Sequence, residues 1–234
     1  MKLNEFGQPV GEALPEGQPV EPPTALCIDG TFCCLERLDV HRHVESLYHA
    51  FQQSEDERHW TYLPYGPFTS LQDYRDFLNG MENKSDPYQF AVIDKVSGHA
   101  VGTVALMRTD VTNGVIEVGH LAYSPLMQRT AVSTEVMSLL LEYVFTTLGY
   151  RRLEWKCDSL NAPSRAAAVR FGFTFEGIFR QMQVTQGRNR DTAWYAMLDS
   201  EYSALRAGYA AWLASDNFDA AGQQKRKLAD CFCS

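Results

Sequence analysis

The order of patterns along the chain predicts an α+β domain, a mixed sheet flanked by helices, and three observations carry that reading. From Ala131 to Leu148 the positions Val132, Val136, Leu139, Leu140, Tyr143 and Val144 repeat with helical period, and Gly149 follows as a stop. Three extended runs precede it, Gln89 to Asp94, Ala100 to Arg108 and Val115 to Tyr123, the last two joined by the turn pair Asn113-Gly114. After it come a strand at Arg152 to Asp158, a short helix at Pro163 to Phe171 stopped by Gly172, and strands at Phe173 to Arg180 and Arg190 to Leu198. The full order reads ββααβββαβαββα, with the first pair also readable as one kinked strand.

Residues 1–24 carry Pro9, Pro15, Pro19, Pro22 and Pro23 with three glycines and almost no periodicity, which predicts an extended arm on the surface or against a neighbour. A homodimer stays open on that ground. Leu26 to Leu38 holds the turn signal Asp29-Gly30 between two apolar runs. Asp39 then caps a helix from Val40 to Gln52, with Val44, Leu47, Tyr48 and Phe51 on one face. In HWTYLPYGPF the aromatics Trp60, Tyr62, Tyr65 and Phe68 are interrupted by Pro64, Gly66 and Pro67, so this is a loop that needs something to pack against. Ser70 caps a second helix, Leu71 to Met81. Tyr202, Leu205, Tyr209, Trp212 and Leu213 mark a packed terminal helix, after which the chain turns polar. The expected organisation is an arm over 1–24, one domain over 25–200, and a helix with a polar tail over 201–234 packed on that domain.

The 234 residues are 45% apolar, which excludes disorder of the whole chain and lets a full core form without staples. The longest apolar run, Val136 to Phe145, contains Glu142 and falls short of the roughly 20 residues of a membrane span. The first residues lack the features of a signal peptide, so a cytoplasmic protein with six free thiols is expected. With 21 Lys+Arg against 29 Asp+Glu the charge is −8, which disfavours nucleic acid as a partner. No metal is expected: no zinc-type cysteine pair occurs, and His41 and His43 read as solvated. Phosphate-loop, dinucleotide, zincin and nucleophile-elbow motifs are absent.

What remains is the junction SPLMQRTAVSTE between the strand ending at Tyr123 and the long helix. Small or hydroxylated residues (Thr130, Ala131, Ser133, Thr134) surround the helix start, where free N–H groups and the helix dipole make an anion site, although the same residues serve a plain helix cap. Some 30 residues on, LNAPSR opens the short helix and FGFTFEGIFRQ follows.

This combination resembles the GNAT acetyltransferase superfamily, and within it the RimJ/RimL-like ribosomal-protein acetyltransferases, over roughly residues 25–200. The [QR]xxGx[GA] helix start is matched by Gln128, Arg129, Thr130, Ala131, Val132 and Ser133, with Ala131 and Ser133 in place of the preferred glycines. The later N-x-x-S and GF-x-x-EG-x-x-R patterns are present as Asn161, Ser164, Gly172, Phe173, Glu176, Gly177 and Arg180.

The resemblance implies the GNAT acyl-CoA N-acyltransferase fold, a mostly antiparallel twisted sheet, and acetyl transfer from acetyl-CoA to an amine acceptor, while the charge and the short apolar run predict no nucleic-acid or membrane partner. It implies cofactor contacts from the backbone of Leu121, Ala122 and Tyr123, from Gln128 to Thr134, and from Asn161 and Ser164. Ser164 is the expected general acid. RimL-like enzymes carry a glutamate where this chain has Gln183, so Glu117 is the expected base, with His120 and the loop tyrosines as other candidates. Regular alternation puts Glu117, Gly119, Leu121 and Tyr123 on one face and His120 on the other unless a bulge intervenes. Trp60, Tyr62, Tyr65 and Phe68 either shape the acceptor pocket or form a hydrophobic mini-core. A non-catalytic acyl-CoA-binding sensor and a scaffold with a vestigial site are the alternatives to an enzyme.

Overall fold

The computed structural model describes residues 2–14 and 20–232, so Pro15, Pro19 and Cys233 lie outside the described residues. The strands are β1 (Lys2–Leu3), β2 (Pro9–Val10), β3 (Cys27–Asp29), β4 (Cys33–Arg37), β5 (Tyr88–Asp94), β6 (Ala100–Asp110), β7 (Val115–Tyr123), β8 (Arg152–Asp158), β9 (Thr174–Thr185) and β10 (Arg188–Leu198). The helices are α1 (Val40–Gln52), α2 (Leu71–Glu82), α3 (Ala131–Glu142), α4 (Ala162–Arg170), α5 (Asp199–Leu213) and α6 (Leu228–Phe232). Eight strands form one sheet in the order β3-β4-β5-β6-β7-β8-β10-β9, and β1 and β2 pair apart from it. The mixed sheet flanked by helices that the sequence predicts is therefore present.

Every neighbouring pair in the large sheet is antiparallel except β7 and β8. The exception follows from α3, a helical crossover that returns the chain in the direction it left. Alternation divides the sheet into two faces. Val104, Leu106, Ile116, Val118, Leu153, Trp155, Tyr195 and Met197 pack with α3 and α5 in one core. On the other face Ala91, Ala100 and Ala122 meet α1 and α2 through Val44, Leu47, Phe51, Tyr74 and Leu78. Each of those large side chains contributes about 1.5–3 kcal/mol on burial, so each amphipathic helix is held chiefly by its buried face.

Both predicted caps form: Asp39 accepts from Arg42 N at 3.1 Å and Ser70 from Asp73 N at 3.1 Å. His43, expected in solvent, is 3% exposed, because its Nδ1 accepts from Asp39 N and its Nε2 lies 3.2 Å from Glu36. The long helix does not run unbroken to Leu148. Tyr143–Thr147 makes one π-turn, and the Tyr143 hydroxyl accepts from the N–H groups of Thr24 and Ala25 at 3.0 Å each. The arm is likewise not wholly extended, since Asn4 Oδ1 accepts from Phe6 N and Gln8 N and closes the turn between β1 and β2. Strand β9 outruns its predicted end at Arg180 because Gln186 and Gly187 both take positive φ and make a tight hairpin into β10. The polar tail ends in α6, whose Leu228 and Cys231 are buried. Among the described residues no helix is long and apolar enough to cross a membrane, and Cys27, Cys33, Cys34, Cys157 and Cys231 are free thiols.

Candidate functional site

Strands β7 and β8 pair only through Val115–Val118 and Arg152–Trp155. Beyond Val118 and Trp155 they part, so the β8-facing backbone of β7 from Gly119 to Tyr123 looks into a gap. A bulge shapes that stretch: Ala105 pairs with Gly119 but Thr103 with Ala122, and His120 takes φ 47. The expected alternation therefore fails. Leu121 and Tyr123 join the α3 core, and Ala122 joins the α1/α2 core.

Helix α3 begins at the end of this gap. Its cap residue Thr130 makes no side-chain cap; the Thr130 hydroxyl donates to Met127 O at 2.7 Å and the Ser133 hydroxyl to Thr130 O at 2.8 Å. The first-turn N–H groups of Ala131, Val132 and Ser133 thus have no side-chain acceptor, and they coincide with the positive end of the helix dipole. Gln128 Nε2 donates to Tyr123 O at 2.7 Å and ties the loop to β7. The left-handed residue of the loop is Arg129, at φ 61. Ala131 and Ser133 lie within the helix, so the replaced glycines are not needed for positive φ. Val132 and Thr134 are buried, the latter accepting from Arg170 at 2.9 Å, so these two offer only backbone to a ligand.

Glu135, one turn further, is 3% exposed and accepts from three N–H groups of the β3–β4 turn, Thr31 and Phe32 at 2.6 Å and Cys33 at 2.7 Å. Gly30 is required there, because a Cβ would stand 2.7 Å from that carboxylate. The anion site is thereby fixed to the far edge of the sheet.

Across the gap Asn161 caps α4, its Oδ1 accepting from Ser164 N at 3.1 Å. Ser164 Oγ accepts from the Trp155 indole N–H at 3.0 Å. With the indole as donor, the Ser164 hydroxyl can itself donate, and the Cys157 thiol is a hydrogen-bonding neighbour of it. Burial pushes the neighbouring Cys157 thiol up, so it stays protonated at neutral pH.

Glu117, the expected base, is 3% exposed. Arg108 Nη1 stands 2.7 Å from both of its oxygens and Lys156 Nζ 2.8 Å from one, while Lys156 also reaches Glu154 at 2.7 Å and lies 3.9 Å from the centre of the Trp194 ring. Both oxygens are thus ion-paired, which places Glu117 in a charged cluster with Arg108 and Lys156. The bulge instead brings His120 against the aromatic loop, its Nδ1 3.3 Å from the Tyr65 hydroxyl and its ring stacked on Tyr65. Burial, with Arg108 and Lys84 adding, lowers the His120 pKa to about 4, so its imidazole is neutral at pH 7.

The loop divides its aromatics. Trp60 and Phe68 belong to a mini-core and line a cavity of about 220 Å³ with Phe51, His59 and Tyr74, none of its lining residues coming from β7–β10. Tyr65 faces His120, and Tyr62 donates to Leu160 O at 3.2 Å. The loop is clasped to the β9–β10 hairpin, with Gln186 donating to Leu63 O at 2.9 Å and Arg188 to Thr61 O at 2.8 Å.

A family model described as an acetyltransferase (GNAT) domain matches residues 34–174, more than half of the chain. The chain belongs to the GNAT acetyltransferase family. It is 45% identical to a GCN5-related N-acetyltransferase from Brucella melitensis, with 94% of this chain and 99% of that one covered and a TM-score of 0.91. It is 40% identical to a probable acetyltransferase of the GNAT family from Chromobacterium violaceum, covering 84% and 98% of the two chains at a TM-score of 0.78. An uncharacterised N-acetyltransferase, p20, from Bacillus licheniformis is 27% identical over 61% of this chain and 81% of its own length.

GNAT acetyltransferases use acetyl-CoA, which supplies an activated acetyl thioester. The residues present suit it: N–H groups without side-chain acceptors for phosphates at α3, parted strands for the pantetheine, and a hydroxyl at Ser164. Sequence reasoning missed Trp155, Lys156, the Gln186 and Arg188 clasp, and the row Arg190, Thr192 and Trp194 on β10. Alternation in GRNRDTAW was the available signal for that last row, since the intervening Ala193 falls in the apolar core.

Proposed function

We propose that the chain is an acetyl-CoA-dependent N-acetyltransferase of the RimJ/RimL-like branch, moving acetyl to a primary amine by direct attack in a ternary complex. The observation that carries this reading is the Trp155–Ser164 hydrogen bond beside the open β7 backbone. Gly119 to Tyr123 offer backbone groups to hold and polarise the thioester, Ser164 protonates the departing thiolate, and His120 takes the amine proton. A weak base suffices there, because an amine N–H becomes far more acidic as its nitrogen bonds to carbonyl carbon. Glu117 holds Arg108 and Lys156 in place beneath the acceptor. The clasp of Gln186 and Arg188 over the gap favours a small amine over a protein N-terminus.

A sensor that binds acyl-CoA without turnover is the second reading, favoured by the ion-paired Glu117 and by Gln183. Release of free CoA from acetyl-CoA across an amine panel separates the two. Amine-dependent release lost in Ser164→Ala supports the enzyme; tight binding without release by any amine supports the sensor.

A further inference from the structure

Three side chains on β10 carry polar atoms that the fold leaves unpartnered, although the Trp194 ring itself is stacked on Phe179 and lies 3.9 Å from Lys156 Nζ. Arg190, Thr192 and Trp194 alternate with Ala193 and Tyr195, so they share the face opposite the α3 core, the face that carries Glu117 and Lys156. Trp194 pairs with Lys156 and Thr192 with Asp158, which places the row along the gap from its vertex outward. Thr192 is 2% exposed, and its Oγ1 has no hydrogen-bond partner in the protein. The same holds for the buried Nε of Arg190 and the buried indole Nε1 of Trp194. Buried donors without partners are costly. Three on one strand face concentrate unmet hydrogen-bonding capacity beside the Arg190 guanidinium.

The charges around Arg190 define what it would recognise. Asp158 acts on it most strongly, followed among ionised groups by Glu117 and Arg108. Glu117 is already held by Arg108 and Lys156, and Asp158 accepts from Leu160 N at 2.9 Å. Among the described residues the Arg190 side chain makes no ion pair or hydrogen bond, although it is half-buried. A guanidinium in that position is matched by a carboxylate, which it can bind through two parallel hydrogen bonds. Residues two apart on a strand are about 6.6 Å apart, a spacing that lets one carboxylate meet both Arg190 and Thr192.

Resting on the acetyltransferase reading above, we propose that the acceptor is a primary amine bearing a carboxylate, with Arg190 and Thr192 binding the carboxylate and Trp194 Nε1 a further acceptor oxygen. Arg190, Thr192 and Trp194 are specificity residues; the proton transfers stay with Ser164 and His120.

The test compares free amino acids with their carboxamides as acceptors, by CoA release and by quenching of tryptophan fluorescence in the acetyl-CoA-loaded protein. The wild type favours carboxylates at least about tenfold in kcat/KM, the scale of one charge-assisted bond. Arg190→Gln brings that ratio to about one, Arg190→Lys restores part of it, and acetyl-CoA affinity and Tm do not fall. A lower Tm in Arg190→Gln would mark a structural arginine and overturn the proposal. Acetylation of both series at equal rates would overturn it too while leaving the acetyltransferase reading intact. Failure to bind or acetylate any carboxylate amine, with carboxamides or other amines turned over, would overturn it likewise. Absence of turnover with every amine would instead defeat the enzyme reading, and carboxylate-dependent quenching lost in Arg190→Gln would then still support the site.

Discussion

The two walls of the gap between β7 and β8 are built from different materials. The α3 wall offers backbone to a ligand: the open strand from Gly119 to Tyr123 and the uncapped first turn of α3. The β8–β10 wall is made of side chains, Lys156 and Glu154, with Lys156 ion-paired across to Glu117 of β7, and the row Arg190, Thr192 and Trp194 with its unpartnered polar atoms. A ligand common to a family can be held by main-chain groups that tolerate sequence change, whereas a ligand particular to one member needs particular side chains. Substitutions on the first wall should therefore matter through sterics and charge, and those on the second through side-chain chemistry.

The sharpest way to break that contrast is Ser164, the side chain proposed as general acid from the α4 end. Ser164→Ala lowers kcat by roughly 10- to 1,000-fold with acetyl-CoA affinity nearly intact, the range for a lost general acid; normal turnover in steady-state assays would remove it from the mechanism. Glu135→Gln should cost about 2–3 kcal/mol in chemical denaturation, since an amide cannot satisfy three N–H groups as a carboxylate does. Ala131→Glu, which sets a negative charge at the mouth of α3, raises the acetyl-CoA Kd about tenfold by calorimetry. Ala131→Gly, restoring the family's glycine, changes that Kd by less than about threefold, because the position already has helical backbone and gains nothing in φ. A large gain in affinity would mean that the missing glycine does limit the loop.

The pH dependence sharpens the acceptor side. His120 is neutral in the folded protein down to about pH 4, whereas an unfolded histidine takes its proton near 6.5. Between those values the unfolded chain binds a proton that the folded one refuses, so acidification removes stability, and His120→Gln flattens that part of the profile. With an acceptor amine that is itself neutral across the range, kcat/KM should hold from pH 7 to pH 5; a fall centred near 6.5 would contradict the neutral imidazole.

Helix and strand periods, caps and turn pairs made the fold legible. The edges of α1 and β7 and β8 follow from apolar spacing and from Asp39, Gly114 and Gly149. The π-turn at Tyr143 was not legible, because it answers to Thr24 and Ala25, more than a hundred residues away in sequence. Nor was the bulge at His120, a non-glycine left-handed residue that no local pattern announces, and missing it misassigned the faces of Leu121 and Tyr123. The cofactor wall could be read from two motifs, since helix starts have a sequence signature. The acceptor wall could not: whether Glu117 is a free base or a member of an ion-paired cluster depends on where Arg108 and Lys156 land.

The central claim, that the α3 wall is a working acetyl-CoA site, is tested most directly by calorimetric titration of acetyl-CoA into the purified protein, with desulfo-CoA and adenosine diphosphate alongside. Micromolar binding of acetyl-CoA and desulfo-CoA, with adenosine diphosphate much weaker, is the expected result, because both the phosphate site and the open β7 backbone contribute. No binding of any of the three, or adenosine diphosphate binding as tightly as acetyl-CoA, would contradict it.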